Sequence, residues 1–300
     1  MKNFIFFIFC LTLGQKFMLR IAVQAKGRLF EETMELLNEA GIKLASSKRS
    51  LLVPSKTFPV ELLFLRDDDI PQSVATGVAD VGIVGENEFV EKKANAVIVK
   101  RLGFSKCRLS LAIPKGAEYR NLSWFSGKKI ATSYPEILTN FLKKNAIKAE
   151  IHVISGSVEI APGIGLANAI FDIVSSGSTL VSNRLKEVEV VMESEALLIG
   201  NDKLSNEKKE ILNELIFRIE AVQTAENKKY ILLNVPNDKL EEIFAVLPGI
   251  KSPTVLPLAQ EGWSSVHSVI DENHFWEIIG KLKNLGAEGI LIVPIEKMIL

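Results

Sequence analysis

Asp172 and the turn Ser175-Ser176-Gly177-Ser178-Thr179 are the residues of this chain whose types and spacing most directly imply chemistry. The apolar run Ala169-Ile170-Phe171-Asp172-Ile173-Val174 reads as a strand, and the small residues after it feed a short helix. Such a loop offers an anion backbone N–H groups, hydroxyl donors and the positive end of a helix dipole. The pattern predicts a phosphate cradle built from Ser175, Ser176, Gly177, Ser178, Thr179 and Leu180. It has neither the Lys of a P-loop nor a G-x-G-x-x-G, so nucleotide hydrolysis and dinucleotide chemistry are not the natural readings. Asp172 sits near the strand's end, where its carboxylate can accept hydrogen bonds from both hydroxyls of a ribose whose 5-phosphate the loop holds. The spacing describes a ribose-5-phosphate site, against the plainer readings of an ordinary turn and a helix-capping aspartate.

These residues also carry a family resemblance. Glu159, Gly165, Ala167, Ile170-Phe171-Asp172-Ile173, Ser176-Gly177 and Thr179-Leu180 match the signature of ATP phosphoribosyltransferases, and the similarity runs from about Met18 to Leu300. Lys26-Gly27-Arg28-Leu29, Arg66-Asp67-Asp68-Asp69-Ile70-Pro71 and Gly82-Ile83-Val84-Gly85-Glu86-Asn87 resemble the same family. So do Cys107-Arg108-Leu109-Ser110, Ala131-Thr132-Ser133-Tyr134-Pro135 and Pro294-Ile295-Glu296-Lys297-Met298. The resemblance implies transfer of the phosphoribosyl group of phosphoribosyl pyrophosphate (PRPP) to N1 of ATP, the first step of histidine biosynthesis. It further implies Mg²⁺ as cofactor, L-histidine as feedback inhibitor and a homo-oligomer between dimer and hexamer. One position departs from the pattern: where the family usually reads G-L-A-D-A-I, this chain has Gly165-Leu166-Ala167-Asn168-Ala169-Ile170, so no carboxylate role carries over to Asn168.

Composition bounds the rest. The 300 residues balance 36 Lys and Arg against 36 Asp and Glu, and 47% are hydrophobic, so a soluble protein of two or three domains with a large core is expected. That balance argues against nucleic acid or an anionic membrane as partner, because counterion release needs a concentrated basic surface. Cys10 and Cys107 cannot make a disulfide framework and fit a reducing cytoplasm. His152, His267 and His274 are too scattered for a zinc site, and displacement at an anomeric carbon does not require them. Residues 1–17 place a lysine before an apolar run from Phe4 to Leu13, like a signal-peptide core too short to span a bilayer. Since neither ATP nor PRPP is supplied outside the cell, residues 1–17 are read as a non-native or cleaved leader, Met18 as the working start and the cytoplasm as the location.

From Met18 short β-branched runs alternate with helical periodicity, which predicts an α/β fold with mostly parallel sheets covered on both faces. The resemblance implies a two-lobed, type II periplasmic-binding-protein-like catalytic core. Residues 18–106 with 186–226 are assigned to lobe I and a connector helix, and 107–185 to lobe II with the phosphate loop. The connector's Ile211, Leu215, Ile219 and Val222 share one helical face. Residues 227–300 read βαββαβ, a ferredoxin-like domain. Its seven lysines and no arginine against nine acids suit a small ligand or a subunit contact rather than RNA.

For the second substrate, Lys26 and Arg28 lie at the mouth of the first βα unit, where open α/β sheets bind ligands, and Arg49 and Arg66 follow in the same lobe. These cations suit the triphosphate of ATP. Tyr134, at a helix start, is either a face for the adenine or a half-buried part of the cleft wall. Asp67-Asp68-Asp69 reads as acids favouring a helix start rather than as a metal cluster, and no metal ligands are assigned. In the C-terminal domain, Ser252 and Thr254 open a strand and Ala287 follows a helix end; the resemblance makes L-histidine their ligand at a subunit contact. The rival reading is a periplasmic solute-binding protein, which shares the two-lobed fold and a signal-like leader but needs neither the phosphate loop nor the C-terminal domain. A different phosphoribosyltransferase would place paired acids before its loop, and no such pair precedes Ser175.

Overall fold

The structure, a computed structural model, describes residues 17–45, 50–247 and 249–300. Arg49 and the leader up to residue 16 lie outside the described residues. The first lobe is organised on β1 (Leu19–Gln24), whose Leu19, Ile21, Ala22 and Val23 are fully buried. A strand covered on both faces needs a continuous apolar run rather than an alternation. β2 (Leu52–Pro54) and β3 (Val60–Leu65) form an antiparallel pair, and β4 (Val81–Gly85) and β5 (Val97–Arg101) follow after the helices Ile70–Ala75 and Glu86–Lys92. Gly82 lets the helix Ile70–Ala75 lie directly on β4: a Cβ there would stand 2.7 Å from Ile70 Cγ2 and 2.9 Å from Val74 Cγ2. The acids Asp67–Asp69 form a 3-10 turn leading into that helix; Asp69 makes no capping hydrogen bond, so they act on it only through charge.

The second lobe contains β6 (Cys107–Pro114), β7 (Lys129–Thr132), β8 (Glu150–Val153), β9 (Ala169–Val174) and β10 (Leu185–Ser194), with the helix Pro135–Lys144 after β7. The chain then returns to the first sheet as β11 (Ala196–Gly200), all five residues buried. The first sheet runs β2-β3-β1-β4-β11-β5 and the second β10-β6-β9-β7-β8. In each, the strand that enters from the other lobe, β11 or β6, is antiparallel to its neighbours. Setting β2 aside, both sheets have the same order: the second parallel strand at one edge, then the first, the third, the entering strand and the fourth. This is the two-lobed, type II periplasmic-binding-protein-like architecture. The segments that cross between the lobes bond to each other, Leu102 N to Ala196 O at 2.9 Å and Ala196 N to Phe104 O at 3.0 Å.

Two boundaries differ from the sequence reading. Residues 186–194 belong to the second sheet, because β10 pairs along β6 from Leu185↔Pro114 to Ser194↔Cys107, so the return to lobe I falls at Ala196 rather than Lys186. The connector is one helix, Asn206–Ala225, but the chain divides at Leu212: one compact unit runs to Glu35 and from Ile42 to Leu212, the other takes Leu36–Gly41 and Asn213–Leu300. Within the second unit, Met298 N donates to Ala221 O at 2.8 Å, tying the tail to the helix.

The C-terminal domain comprises β12 (Lys228–Pro236), the helix Leu240–Val246, β13 (Thr254–Pro257), β14 (Trp263–Asp271), the helix Phe275–Asn284 and β15 (Glu288–Pro294). Its sheet order, β13-β14-β12-β15, is antiparallel throughout and ferredoxin-like. Ile231, Leu233 and Val235 alternate along β12 toward a core shared with Ile243, Val266 and Leu282.

Candidate active site

The residues that follow β1 and β9 meet, Arg28 against Ser175, at the carboxyl ends of parallel strands, where open α/β sheets place their ligands. At the end of β9, Asp172 Oδ1 accepts a hydrogen bond from Ile173 N at 2.8 Å. Burial pushes its carboxyl up to about 6; the Ile173 N–H opposes this, and the nearby Glu159 charge adds to it. The next turn is shaped by Gly177, whose φ of +81° is open to glycine at little cost. Ser176 Oγ and Ser178 Oγ lie 3.0 Å apart, and the buried Leu180 side chain anchors the loop to the lobe, leaving only its backbone for a ligand. The helix that follows, Ser178–Ser182, has five residues, so its dipole is weaker than the sequence reading supposed; N–H groups and hydroxyls are what the loop offers.

Arg28 crosses to this loop from the first lobe. It begins the helix Arg28–Glu39 after the turn at Gly27, and its Nη1 donates to Ser175 Oγ at 2.8 Å while Nη2 donates to Lys106 O at 2.8 Å. Arg108, given no role by the sequence reading, donates from Nη1 to Ser175 O at 3.1 Å. A bidentate pair with Glu187, at 2.6 Å on each side, holds it there and keeps the Glu187 carboxyl below its ordinary range. A cavity of about 670 Å³ opens beside Ser175, with Lys106, Arg101, Arg108, Glu86 and Glu195 in its walls. Lys26 and Arg66 are exposed at the ends of the adjacent strands β1 and β3, and among the described residues neither has an ion-pair partner.

Three further residues are placed by the structure. Tyr134 lies in the wall between the lobes rather than open to a ligand: its ring is buried in the second lobe's core, and its hydroxyl accepts from Asn87 Nδ2 at 3.1 Å and bonds Glu88, both on the first lobe. An apolar ring with one polar tip is satisfied by burying the ring and pairing the tip. Ala287 is part of the helix–sheet core, and it leads into β15 at the opposite edge of the sheet from Thr254 on β13. Four strands span about 14 Å, so these residues do not share a pocket within one chain. Asn168 has a structural task, its Oδ1 accepting from Lys129 N at 2.9 Å and its own N donating to Lys129 O at 2.8 Å.

Asn87, Glu88 and Glu91 are functional candidates that the sequence alone does not reveal, although Asn87 ends the motif Gly82-Ile83-Val84-Gly85-Glu86-Asn87. Burial pushes the Glu88 carboxyl up to about 7, opposed by its hydrogen bond with Tyr134 and reinforced by Asp67. The signal for all three was polar residues on the buried face of a short helix, visible only once its packing partner is known.

A two-lobed α/β core with a carboxylate and a loop of small residues at one strand end, met by Arg28 from the other lobe, suits the chemistry of a pentosyltransferase. Similarity makes the class particular. A sequence profile described as HisG: ATP phosphoribosyltransferase matches residues 66–221, and one for the HisG C-terminal domain matches 225–297. The ATP phosphoribosyltransferase of Bacteroides thetaiotaomicron is 77% identical over 282 residues, covering 94% of this chain and 100% of its own length. That of Cytophaga hutchinsonii is 59% identical over 281 residues, covering 94% and 98%. Among solved structures, a chain of the ATP phosphoribosyl transferase (HisG:HisZ) complex from Thermotoga maritima matches with a TM-score of 0.59 and 29% identity, over 68% of this chain and 99% of that one. The chain belongs to the ATP phosphoribosyltransferase family, in the long form that carries a C-terminal domain. Its reaction joins ATP to the phosphoribosyl group of PRPP, releases pyrophosphate and opens histidine biosynthesis. The likeness to solute-binding proteins is one of fold. Among the described residues no helix is long and apolar enough to cross a membrane.

Proposed function

We propose that Ser175, Ser176, Gly177, Ser178, Thr179 and the Leu180 backbone hold the 5-phosphate of PRPP, with Asp172 on the ribose hydroxyls, while Lys26, Arg28 and Arg66 receive the polyphosphate of ATP. The observation that carries this reading is the Arg28–Ser175 hydrogen bond, which brings a cation of the first lobe to the second lobe's loop at 2.8 Å. N1 of ATP attacks C1 of the ribose, the C1–oxygen bond breaks, and pyrophosphate leaves with the bonding pair. Positive charge develops on the ring, where the Asp172 carboxylate stabilises it, and negative charge develops on the leaving oxygens, where Arg28 and Lys106 stand. Catalysis is then mostly alignment of the two substrates, with no nucleophilic side chain.

Mg²⁺ fits this site. Among the described residues no three His, Cys, Asp or Glu side chains converge, and a magnesium ion held mainly by substrate phosphates and water needs only one or two carboxylates, of which Asp172 and Glu159 are at hand. When bound, it would neutralise the departing pyrophosphate. The C-terminal domain is read as regulatory, taking L-histidine at the exposed β13 edge around Ser252 and Thr254, with a second subunit of a dimer or hexamer completing the pocket. The cytoplasm is the expected location, since both substrates are made there. Pyrophosphate release from PRPP tests the reading: release that requires ATP and falls on addition of L-histidine is expected, and release independent of ATP would overturn it.

A further inference from the structure

The N-terminus of the helix Pro135–Lys144 is capped from the other lobe. A helix leaves its first N–H groups without intrahelical partners, and the residue just before it normally supplies the acceptor. Tyr134 occupies that position and makes no capping hydrogen bond. Instead Glu91, on the first lobe's helix Glu86–Lys92, accepts from Glu136 N through Oε1 at 2.9 Å and from Ile137 N through Oε2 at 3.0 Å. Glu91 is 8% exposed, and both carboxylate oxygens are used. A carboxylate at the positive end of a ten-residue helix gains from the dipole as well as from two charge-assisted bonds.

Other contacts surround it. Lys93 Nζ pairs with Glu136 Oε2 at 2.5 Å, and Asn87 Nδ2 donates to Tyr134 Oη at 3.1 Å. Asn87 is in turn fixed to the crossing segment, its Oδ1 accepting from Ser194 Oγ at 2.9 Å. Gly85 makes room for this, since a Cβ there would collide with Asn87 Oδ1.

The placement of the two helices gives the contact its meaning. The helix Glu86–Lys92 follows β4, which pairs with β1, and the end of β1 leads to Lys26 and Arg28. The helix Pro135–Lys144 follows β7, which pairs with β9, and the end of β9 carries Asp172 and the phosphate loop. Glu91 therefore joins the two strand pairs that carry the two halves of the site. We propose that Glu91 is a positioning residue for phosphoribosyl transfer, a clasp between the lobes that sets how the ATP half faces the PRPP half. The proposal rests on the site assignment above, and failure of that assignment would show separately, in variants of Asp172 or Gly177.

The test is Glu91→Gln, whose amide keeps one acceptor but turns an N–H₂ donor toward a backbone N–H. The folded variant is expected to lose about tenfold in kcat, the scale of one charge-assisted hydrogen bond, while its affinity for PRPP alone, whose ribose and 5-phosphate the second lobe holds, stays within about twofold. A purely structural residue would lower the melting temperature and leave kcat per folded enzyme unchanged, and that result would overturn the proposal; so would equal losses in kcat and in PRPP affinity. Lys93→Met, at an exposed position, removes a flanking contact without a buried change. It is expected to lower kcat by about twofold to threefold with an unchanged melting temperature, in keeping with a surface ion pair. If Glu91→Gln fails to fold, this variant decides alone, and unchanged kcat in it counts against the clasp.

Discussion

Arg28 Nη1 donates to Ser175 Oγ across 2.8 Å, so a side chain of the first lobe touches the first residue of the small-residue loop that follows β9 in the second lobe. The sequence reading gave Arg28 to ATP, yet the loop it touches is the one assigned to PRPP. Under the proposed assignment this cation would serve the phosphates of both substrates; its second bond, to Lys106 O, braces it on the segment that joins the lobes.

Arg28→Lys is therefore expected to raise KM for PRPP as well as for ATP. A lysine keeps the charge but cannot donate to Ser175 Oγ and Lys106 O as one planar fork, and a loss of about 1–1.5 kcal/mol corresponds to roughly tenfold. Steady-state kinetics with each substrate varied in turn check this; a change confined to ATP would place the arginine's work in its own lobe.

Asp172→Asn is expected to cut turnover by at least about a hundredfold, since an amide accepts less well from two hydroxyls and does not balance positive charge on the ring. The pH dependence follows from the carboxyl near 6, raised from the ordinary 3.8. As pH falls through about 6 the carboxylate takes up a proton and activity should decline, and the variant's residual activity should lack that acid limb. Stability has the opposite sign. Between 3.8 and about 6 the folded state keeps a proton that the unfolded chain has released, so Asp172 makes folding less favourable as pH rises through that window. Asp172→Asn should then be more stable than the parent at pH 8, on the order of 1–2 kcal/mol, with the difference vanishing below about pH 4. Denaturant unfolding at the two pH values measures it.

Gly177→Val places a β-branched residue at a φ of +81°. Space is not the obstacle, because the added Cβ would meet Val174 Cγ1 at an ordinary 3.9 Å; backbone strain of about 1–2 kcal/mol is. The loop should relax away from its cradle shape, weakening PRPP binding about tenfold or more while ATP binding changes little. Calorimetric titration with PRPP reads this directly.

Asn168→Asp is expected to leave kcat and both KM values within about twofold, because the carboxylate oxygen can accept from Lys129 N as the amide oxygen does. A large gain in activity would mean that a carboxylate there reaches substrate or metal.

Thr254→Trp alters an exposed residue on an edge strand, so the domain should fold unchanged. L-histidine inhibition is expected to weaken by about tenfold or more if the ligand lies at that edge, as a bulky ring fills the space. Undiminished inhibition, measured as a dose response on pyrophosphate release, would move the regulatory site elsewhere.

What the sequence determined by itself was local. The strand through Asp172, the turn at Gly177 and the cations of Lys26-Gly27-Arg28 are each a matter of neighbouring residues and their backbone preferences, and those preferences survive folding. The alternation of β and α units set the class of fold for the same reason. Which distant residues meet depends on how these elements pack. Tertiary packing placed Arg28 against Ser175, gave Ser175 O to Arg108, buried Tyr134 with its hydroxyl on Asn87 of the other lobe, and set Thr254 and Ala287 at opposite sheet edges. It also moved the return to the first lobe to Ala196, because β10 gains a full partner in β6. Glu91 shows the limit most clearly: nothing within its own helix announces that its acceptor oxygens serve a helix 45 residues further along. A polar side chain's task depends on the donors it finds across a packed interface, and those are fixed by how two separately formed sheets come together.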